Sequence, residues 1–274
     1  MDIPYDAGGT KLIVTEETPF PFITPEDLTA PTLIKASRRL ELYTGSGSVS
    51  NIPPLDGVIL LHQAGGLHAI SRKHRLKRAR SFPKELYLLR KQEGTIGVAT
   101  NFGVGSPAAA VIIEELAILG IRKLIAVGIA GGLKEDLHSG DLVICERAIR
   151  EEGTSHHYLL PSRYSFPSPN LTQNLAKALD EPGSPTMSGT SWTTDAPYRE
   201  TRRKVEKYRQ EGVITVEMEA AAVFAVCAHL GIESGVAFVV ADTLTGLEWQ
   251  PGYDKNKITA GVETLFKAAV EALE

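Results

Sequence analysis

The sequence is poor in cysteine, and its two cysteines stand far apart among apolar residues. Cys145 and Cys227 are the only ones in 274 residues. Two such thiols predict small buried core residues rather than a disulfide framework or a metal site. The CxxC, HExxH, Walker A and GxSxG motifs are missing as well. We therefore expect no metal and no resident cofactor.

Long apolar runs and an excess of basic charge are also missing. No stretch of about 18 uninterrupted apolar residues occurs, so no membrane span is predicted. The first ten residues lack a basic stretch followed by an apolar one, which does not fit a secretory signal and makes a cytoplasmic location the default expectation. The net charge of -4 argues against nonspecific nucleic-acid binding. A content of 43% hydrophobic and 23% charged residues is typical of a soluble globular protein.

Prolines interrupt the first part of the chain. They occur at positions 4, 19, 21, 25, 31, 53 and 54. We predict that residues 1–56 are an N-terminal extension that wraps the core or contacts a neighbouring subunit, and that residues 57–274 form the main domain. Within the extension, Thr24 is expected to cap a short helix that begins at Pro25.

One part of the main domain alternates between strand and helix signals. Residues 95–100 and 123–127 are predicted strands, and residues 108–119 between them are a predicted helix. Strand, helix and strand with glycine turns at the strand ends predict a βαβ unit. Its carboxyl-end loops, near Gly103 and Gly128, are expected to converge on one crevice.

A glycine pair follows the first strand of the main domain. Residues 57–61 (GVILL) are a predicted buried strand, and Gly65 and Gly66 come shortly after it. An open α/β sheet presents backbone N–H groups to a ligand at such a place. An ordinary tight turn explains the same residues.

An acidic pair precedes the most apolar helix signal in the chain. Glu217 and Glu219 flank Met218, and an alanine-rich run continues to Cys227. Carboxylates in the first turn of a helix lie favourably against the positive end of its dipole. Two charges beside so apolar a run need partners, among which a ligand's hydroxyls would qualify. A capped core helix is the structural alternative.

An aspartate and two aromatic residues complete the candidates. Asp242 ends a strongly apolar strand predicted over residues 235–241, where burial would raise its pKa and suit it to proton transfer. A helix N-cap is the alternative role. Trp192 and Tyr198 stand among small polar residues, and an exposed pair of this kind is able to stack on a flat ring.

Two motifs carry a resemblance to a known family. Residues 127–133 (VGIAGGL) and 216–221 (VEMEAA) resemble the nucleoside phosphorylase family, which includes uridine phosphorylase, hexameric purine nucleoside phosphorylase and the methylthioadenosine nucleosidases. Further motifs agree with it in family order, namely residues 103–107 (GVGSP), 140–143 (GDLV) and 195–198 (DAPY), followed by Asp242. The resemblance runs from about residue 57 to residue 274.

The resemblance implies both a fold and an activity. The fold is a single α/β domain whose central mixed sheet closes in part into a distorted barrel flanked by helices. The activity is cleavage of the N-glycosidic bond of a purine or pyrimidine nucleoside, with phosphate as co-substrate and no cofactor. Homo-oligomers built from dimers are also implied.

The resemblance also implies roles for the individual residues at the matching positions. Met218 and Glu219 would hold the ribose, and Glu217 would order the pocket or cap the helix. Asp242 would protonate, or hydrogen-bond to, the leaving base. The implied base contacts are Trp192, Thr194, Tyr198 and Arg203. The implied phosphate contacts are Arg80, Gly65 and Gly128, with Arg80 donated across a dimer interface.

The phosphate-binding pattern of the family is incomplete here. Phosphorylases carry an arginine after the first strand, whereas residues 63–68 (QAGGLH) contain none. Ala126 and Ile129 stand where the family has an arginine and a serine or threonine. Each lost charge-assisted hydrogen bond costs about 1.5–3 kcal/mol.

Three functions are therefore compatible with the sequence. Phosphorolysis to a free base and ribose 1-phosphate is the first. Hydrolysis of the same bond is the alternative, with His62 or His68 as the base, because no carboxylate lies between His62 and Lys84. A nucleoside-binding protein without turnover is the third.

Overall fold

One mixed sheet of ten strands carries the fold in the computed structural model, which describes residues 23–44, 51–62, 70–71, 73–91, 94–180, 186–252 and 254–274. The strands are β1 (Gly57–Leu61), β2 (Lys77–Arg78), β3 (Glu85–Arg90), β4 (Thr95–Thr100), β5 (Lys123–Gly132), β6 (Leu142–Glu151), β7 (Tyr164–Ser165), β8 (Thr186–Thr194), β9 (Val213–Glu217) and β10 (Glu233–Thr243). β1 and β4 have the predicted bounds.

Five of these strands close into a barrel. β5 pairs with β9, β9 with β8, β8 with β6, β6 with β10, and β10 returns to β5. The long parallel pairing of β10 with β5 runs from Glu233 opposite Lys123 to Thr243 opposite Gly132. β9 crosses the end of β5 antiparallel, with Val216 opposite Gly131. The expected single α/β domain with a partly closed mixed sheet is thereby confirmed.

Helices cover both faces of the sheet. They are α1 (Pro25–Thr29), α2 (Ala36–Thr44), α3 (Ser106–Ala117), α4 (Pro169–Ala178), α5 (Arg202–Gln210), α6 (Ala220–Leu230) and α7 (Lys255–Leu273). α3 and α6 pack on one face, and α4 and α7 pack on the other. The β1 residues alternate between these layers, with Leu60 under α3 and α6 and Ile59 under α4 and α7. Burial on both faces explains the uninterrupted apolar sequence of β1.

The described part of the N-terminal segment contains two helices. Thr24 and Asp27 form a capping box at the start of α1, as predicted for Thr24. α2 lies against α3, with Leu40 only 1% exposed and the Arg39 guanidinium 3.8 Å from the buried Glu115 carboxylate. The division at residue 56 stays a prediction. Within the described ranges, no helix has the length and apolar character needed to cross a membrane.

Two boundaries differ from the sequence prediction. Residues 128–132, predicted as a glycine turn, continue β5 because they hydrogen-bond to β9 and β10 where the barrel closes. A Cβ on Gly131 would lie only 3.1 Å from Val216 Cγ1, so the close approach of β9 favours glycine. The sequence places the acidic pair in the first turn of a helix, but Glu217 ends β9 and α6 begins only at Ala220. Both cysteines are buried free thiols, as expected.

Candidate active site

A cavity of about 540 Å³ lies at the carboxyl ends of four strands. Its walls come from the ends of β1, β5, β9 and β10, from the loop after β4, and from residues 197–200. Carboxyl ends of neighbouring parallel strands meet at one edge of a sheet, which is where α/β proteins bind ligands. Residues next to Gly103 and Gly128 therefore line one crevice as predicted, although those that follow Gly128 belong to β5 and not to a loop.

Glu217 is held by four hydrogen-bond donors at the floor of the cavity. Its Oε2 accepts the backbone N–H groups of Glu219 and Ala220, both at 2.7 Å. Its Oε1 accepts the hydroxyls of Thr193 at 2.6 Å and Ser191 at 3.2 Å. These bonds fix the turn between β9 and α6, so Glu217 caps the helix from inside the preceding strand.

The carboxyl of Glu217 is also strongly perturbed. Burial raises its pKa to about 7, and the neighbouring Glu219 carboxylate adds to the shift. The Thr193 hydroxyl accepts the Ala221 N–H at 3.0 Å and therefore directs its own proton to Glu217. The orientation of the carboxyl is therefore set by two backbone N–H groups and two hydroxyls.

Glu219 joins the acidic motif to the glycine loop after β4. Its Oε1 accepts the Gly105 N–H at 2.6 Å, and the Ser106 hydroxyl donates to the Met218 carbonyl at 2.7 Å. Gly105 has a φ of +89°, a conformation that favours glycine. Glu219 Oε2 makes no hydrogen bond within the described residues. This oxygen is available to a ligand in the cavity.

His62 lies beside Glu219, and its two ring nitrogens have no hydrogen-bond partner among the described residues. Its side chain is 10% exposed, and Nδ1 is 3.9 Å from Glu219 Oε1. The ring packs edge-on against Phe102, and a Cβ on Gly128 would lie 3.6 Å from His62 Cβ. Burial lowers the pKa of His62, so a neutral imidazole offers one donor and one acceptor.

Asp242 lines the other end of the cavity at the close of β10. The Trp249 indole N–H donates to its Oδ2 at 2.5 Å. Burial raises the pKa of Asp242, and the Trp249 hydrogen bond opposes part of that shift. β10 continues to Thr243 without a following helix, so the alternative of a helix N-cap is wrong.

The loop that follows β8 closes this second end. Tyr198 is fully exposed at the mouth, while the half-buried Glu200 lies next to Asp242. Burial and the Asp242 charge raise the pKa of Glu200 to about 7. Sequence reasoning missed Glu200 and Trp249, although Glu200 comes two residues after the DAPY motif.

The sequence of the main domain matches a known protein family. Residues 58–274 match the model of the Phosphorylase superfamily. The chain belongs to this superfamily.

Relatives within the superfamily act on different bases by name. A guanosine phosphorylase from Halorubrum lacusprofundi is 30% identical over 56% of this chain and 63% of its own length. A uridine phosphorylase from Thermococcus kodakarensis is 31% identical over 57% and 61%. A purine nucleoside phosphorylase from Plasmodium vivax is 27% identical over 64% and 72%. The chain thus matches less than two thirds of the first two relatives.

Solved structures agree on the fold. The uridine phosphorylase from Vibrio fischeri ES114 superposes with a TM-score of 0.69 at 22% identity, covering 82% of this chain and 92% of that one. A second structure of that enzyme, complexed with 6-hydroxy-1-naphthoic acid, gives a TM-score of 0.70 at 21% identity. Identity at this level supports the phosphorylase fold and nothing finer.

Two predicted base contacts lie elsewhere. Trp192 was expected to be exposed and is wrong as a stacking residue, because it is 0% exposed with its ring centroid 4.7 Å from that of Tyr208. Thr194 is 4% exposed, and its hydroxyl accepts the Ala196 N–H at 3.3 Å. The neighbouring Thr193 does not line the cavity but donates a hydrogen bond to Glu217, which does.

The predicted cationic residues do not reach the cavity either. Arg203 lies exposed on α5, and Arg80 lies exposed after β2. Among the described residues that line the cavity there is neither lysine nor arginine. Gly128 lies behind His62 and Gly65 lies outside the described residues, so the role of Arg80 across a dimer interface and those of both glycines stay predictions.

Proposed function

We propose that this chain cleaves the N-glycosidic bond of a nucleoside by phosphorolysis. The products would be the free base and a pentose 1-phosphate. The observation that carries the proposal is the pairing, in one cavity, of an available Glu219 oxygen with a half-buried Asp242 carboxyl of raised pKa. Membership of the superfamily supports the same reaction class.

Glu219 would bind the sugar. A vicinal diol supplies two O–H donors, and a carboxylate accepts both through charge-assisted hydrogen bonds. Oε1 already accepts the Gly105 N–H, which leaves Oε2 as the principal acceptor that Glu219 offers to the cavity it lines. Met218 lies next to it in the lining and would contact the apolar face of the ring.

Asp242 would assist departure of the base. When the C1′–N bond breaks, its electron pair goes to the base nitrogen, and a proton or hydrogen bond from Asp242 stabilises the negative charge that develops. The positive charge that develops at C1′ lies near the Glu219 carboxylate. The phosphate oxygen then forms the new bond to C1′. Since purines present a ring acceptor at N7, we infer a purine substrate.

Glu217 would act as a positioning residue. It accepts the backbone N–H groups of Glu219 and Ala220, and these hydrogen bonds fix the position of the Glu219 backbone. Both carboxyl oxygens of Glu217 already accept two hydrogen bonds each from the protein, so we do not assign Glu217 to the sugar.

Hydrolysis is the second candidate, and one observation favours it. The described cavity lining holds no arginine or lysine for a phosphate, but it does hold the neutral His62 with both ring nitrogens unpartnered. A neutral imidazole is able to accept a proton from water that attacks C1′. The products would then be the free base and free ribose.

Base release with and without phosphate separates these candidates. Purified protein is incubated with adenosine, inosine and uridine, and the free base and sugar products are quantified chromatographically. Release that requires phosphate and yields a sugar phosphate supports phosphorolysis. Release of ribose without phosphate that is lost in His62→Ala supports hydrolysis. Binding of adenosine without release of any product would contradict both and leave a nucleoside-binding protein.

Arg80 offers a separate test of the phosphate site. We propose that the active form is a dimer in which Arg80 enters the partner's cavity, since it is exposed on its own subunit. Arg80→Ala should raise the KM for phosphate at least about tenfold, the effect of one lost charged hydrogen bond. A monomer in light scattering, or an unchanged KM for phosphate, would refute this role.

A further inference from the structure

Glu200 is a carboxyl that faces the base end of the cavity without a hydrogen-bond partner among the described residues. Its backbone N–H donates to the Pro197 carbonyl at 3.2 Å, which fixes the turn that presents it. Its side chain is half-buried and makes no hydrogen bond or ion pair with the described part of the chain. A carboxyl oriented by its backbone but left without donors is suited to a ligand's N–H groups.

Asp242, its neighbour, is bound differently. The Trp249 indole donates to one Asp242 oxygen, so the protein itself orients that carboxyl. Both Asp242 oxygens lie close to Gly131, at 3.7 and 3.8 Å from where a Cβ on that residue would stand. The cavity therefore presents one anchored and one unanchored carboxyl side by side.

The pair is poorly suited to carrying two negative charges. Both groups line the cavity, and no lysine or arginine among the described lining residues lies between them. Two close carboxyls without a cation share one proton, because like charges disfavour double ionisation. After burial, the charge of Asp242 is the second cause of the raised pKa of Glu200. One O–H donor and one carboxylate acceptor then face the base.

Only some bases match a donor beside an acceptor. A 6-aminopurine presents N7, which accepts a hydrogen bond, next to the 6-amino group, which donates one. A 6-oxopurine presents two acceptors on the same edge, N7 and O6, so its O6 would face an unpaired carboxylate. A site built to hydrogen-bond one group rejects the analogue that lacks it, since buried polar atoms are left unpaired.

We propose that Glu200 selects the base, favouring 6-aminopurine nucleosides over 6-oxopurine nucleosides. Asp242 contacts N7, and Glu200 accepts from the 6-amino group. This assignment rests on the proposed function in one respect only, that the cavity end at Asp242 binds the base.

Binding of free bases tests the selection without turnover. Calorimetry with adenine and hypoxanthine is carried out on the unmodified protein and on Glu200→Gln, whose amide is able to donate to O6. Adenine should bind at least about tenfold more tightly than hypoxanthine, and Glu200→Gln should remove most of that preference. Glu206→Gln, an exposed glutamate on α5, is the matched control and should keep it.

A second variant separates loss of an acceptor from gain of a donor. Glu200→Ala should lose adenine affinity without gaining hypoxanthine affinity, whereas Glu200→Gln should gain it. An adenine-to-hypoxanthine ratio that is equal in all variants, or binding of neither base by the unmodified protein, overturns the proposal.

The kcat/KM ratio of adenosine to inosine distinguishes the two failures. If bases bind with the expected preference but no nucleoside is cleaved, the proposed function fails and the base selection stands. If nucleosides are cleaved and the ratio is unchanged in Glu200→Gln, the selection fails and the proposed function stands.

Discussion

The two ends of the cavity are built in different ways. At the sugar end, Glu217 and Glu219 bind backbone N–H groups at the junction of β9 and α6 and at the glycine loop. At the base end, Tyr198 is fully exposed and Trp249, which orients Asp242, is 62% exposed. Regular elements therefore form much of the proposed sugar site, while loops form most of the proposed base site.

This contrast has a functional meaning. All ribonucleosides share the same sugar, so an arrangement on strand and helix ends would suit each of them and change little when loops change. Bases differ, and loops tolerate the variation that a new base requires. Relatives named for guanosine, uridine and purine nucleosides are consistent with a fixed sugar end and a variable base end.

The largest effect is expected from the acid at the base end. Asp242→Asn keeps the shape and the Trp249 contact but has no carboxyl proton to give, so kcat should fall about 10²–10⁴-fold, the usual contribution of general acid catalysis. Steady-state kinetics with adenosine would measure it, and nucleoside binding by calorimetry should survive. An unchanged kcat would remove Asp242 from the reaction.

A smaller effect on stability is expected at the sugar end. Glu217→Ala leaves two backbone N–H groups and two buried hydroxyls without their acceptor, which should lower the free energy of unfolding by about 1–3 kcal/mol or more. Urea unfolding measures it. Glu206→Ala, at an exposed position, serves as the control, and equal stability of the two variants would contradict the described hydrogen bonds.

The pH profile should also report on the base end. Burial raises the pKa of Asp242, so its acid form persists to higher pH than that of an exposed aspartate and is lost as pH rises through the raised pKa. The kcat/KM should fall about tenfold per pH unit above that pKa. Because the Trp249 hydrogen bond lowers the pKa, Trp249→Phe should move this fall to higher pH. A shift to lower pH would contradict the assignment.

The smallest effects are expected where side chains lie away from the cavity. Arg203→Ala should change kcat/KM for adenosine and uridine less than about twofold, because the side chain is exposed on α5 and does not line the site. Tyr198→Ala, at the mouth, is the informative companion and should raise KM more. A large loss in Arg203→Ala would restore the role that the resemblance implies.

Prediction from sequence succeeded where local pattern and structure coincide. β1 has the predicted bounds because a continuous apolar run determines it. The convergence of the residues near Gly103 and Gly128 on one crevice followed from the rule that the carboxyl ends of parallel strands meet at one edge of a sheet.

Prediction failed where contacts between distant segments decide. Trp192 has polar neighbours in sequence, yet it is buried beneath α5 against Tyr208. The glycines after residue 127 belong to a strand only because β9 and β10 pair with them. Glu200 and Trp249 approach Asp242 from separate loops, and no local sequence pattern predicts that these three residues lie close together.

The central claim is that Glu219 binds the sugar diol, and affinity for the sugar tests it most directly. Adenosine and 2′,3′-dideoxyadenosine, which lacks both hydroxyls, are titrated by calorimetry into Asp242→Asn, which slows cleavage, and into the double variant with Glu219→Gln. With Glu219 present, adenosine should bind roughly 10- to 150-fold more tightly than 2′,3′-dideoxyadenosine. In the double variant with Glu219→Gln, most of this preference for adenosine should disappear. A preference that persists in full without the carboxylate would contradict the assignment of Glu219 to the sugar.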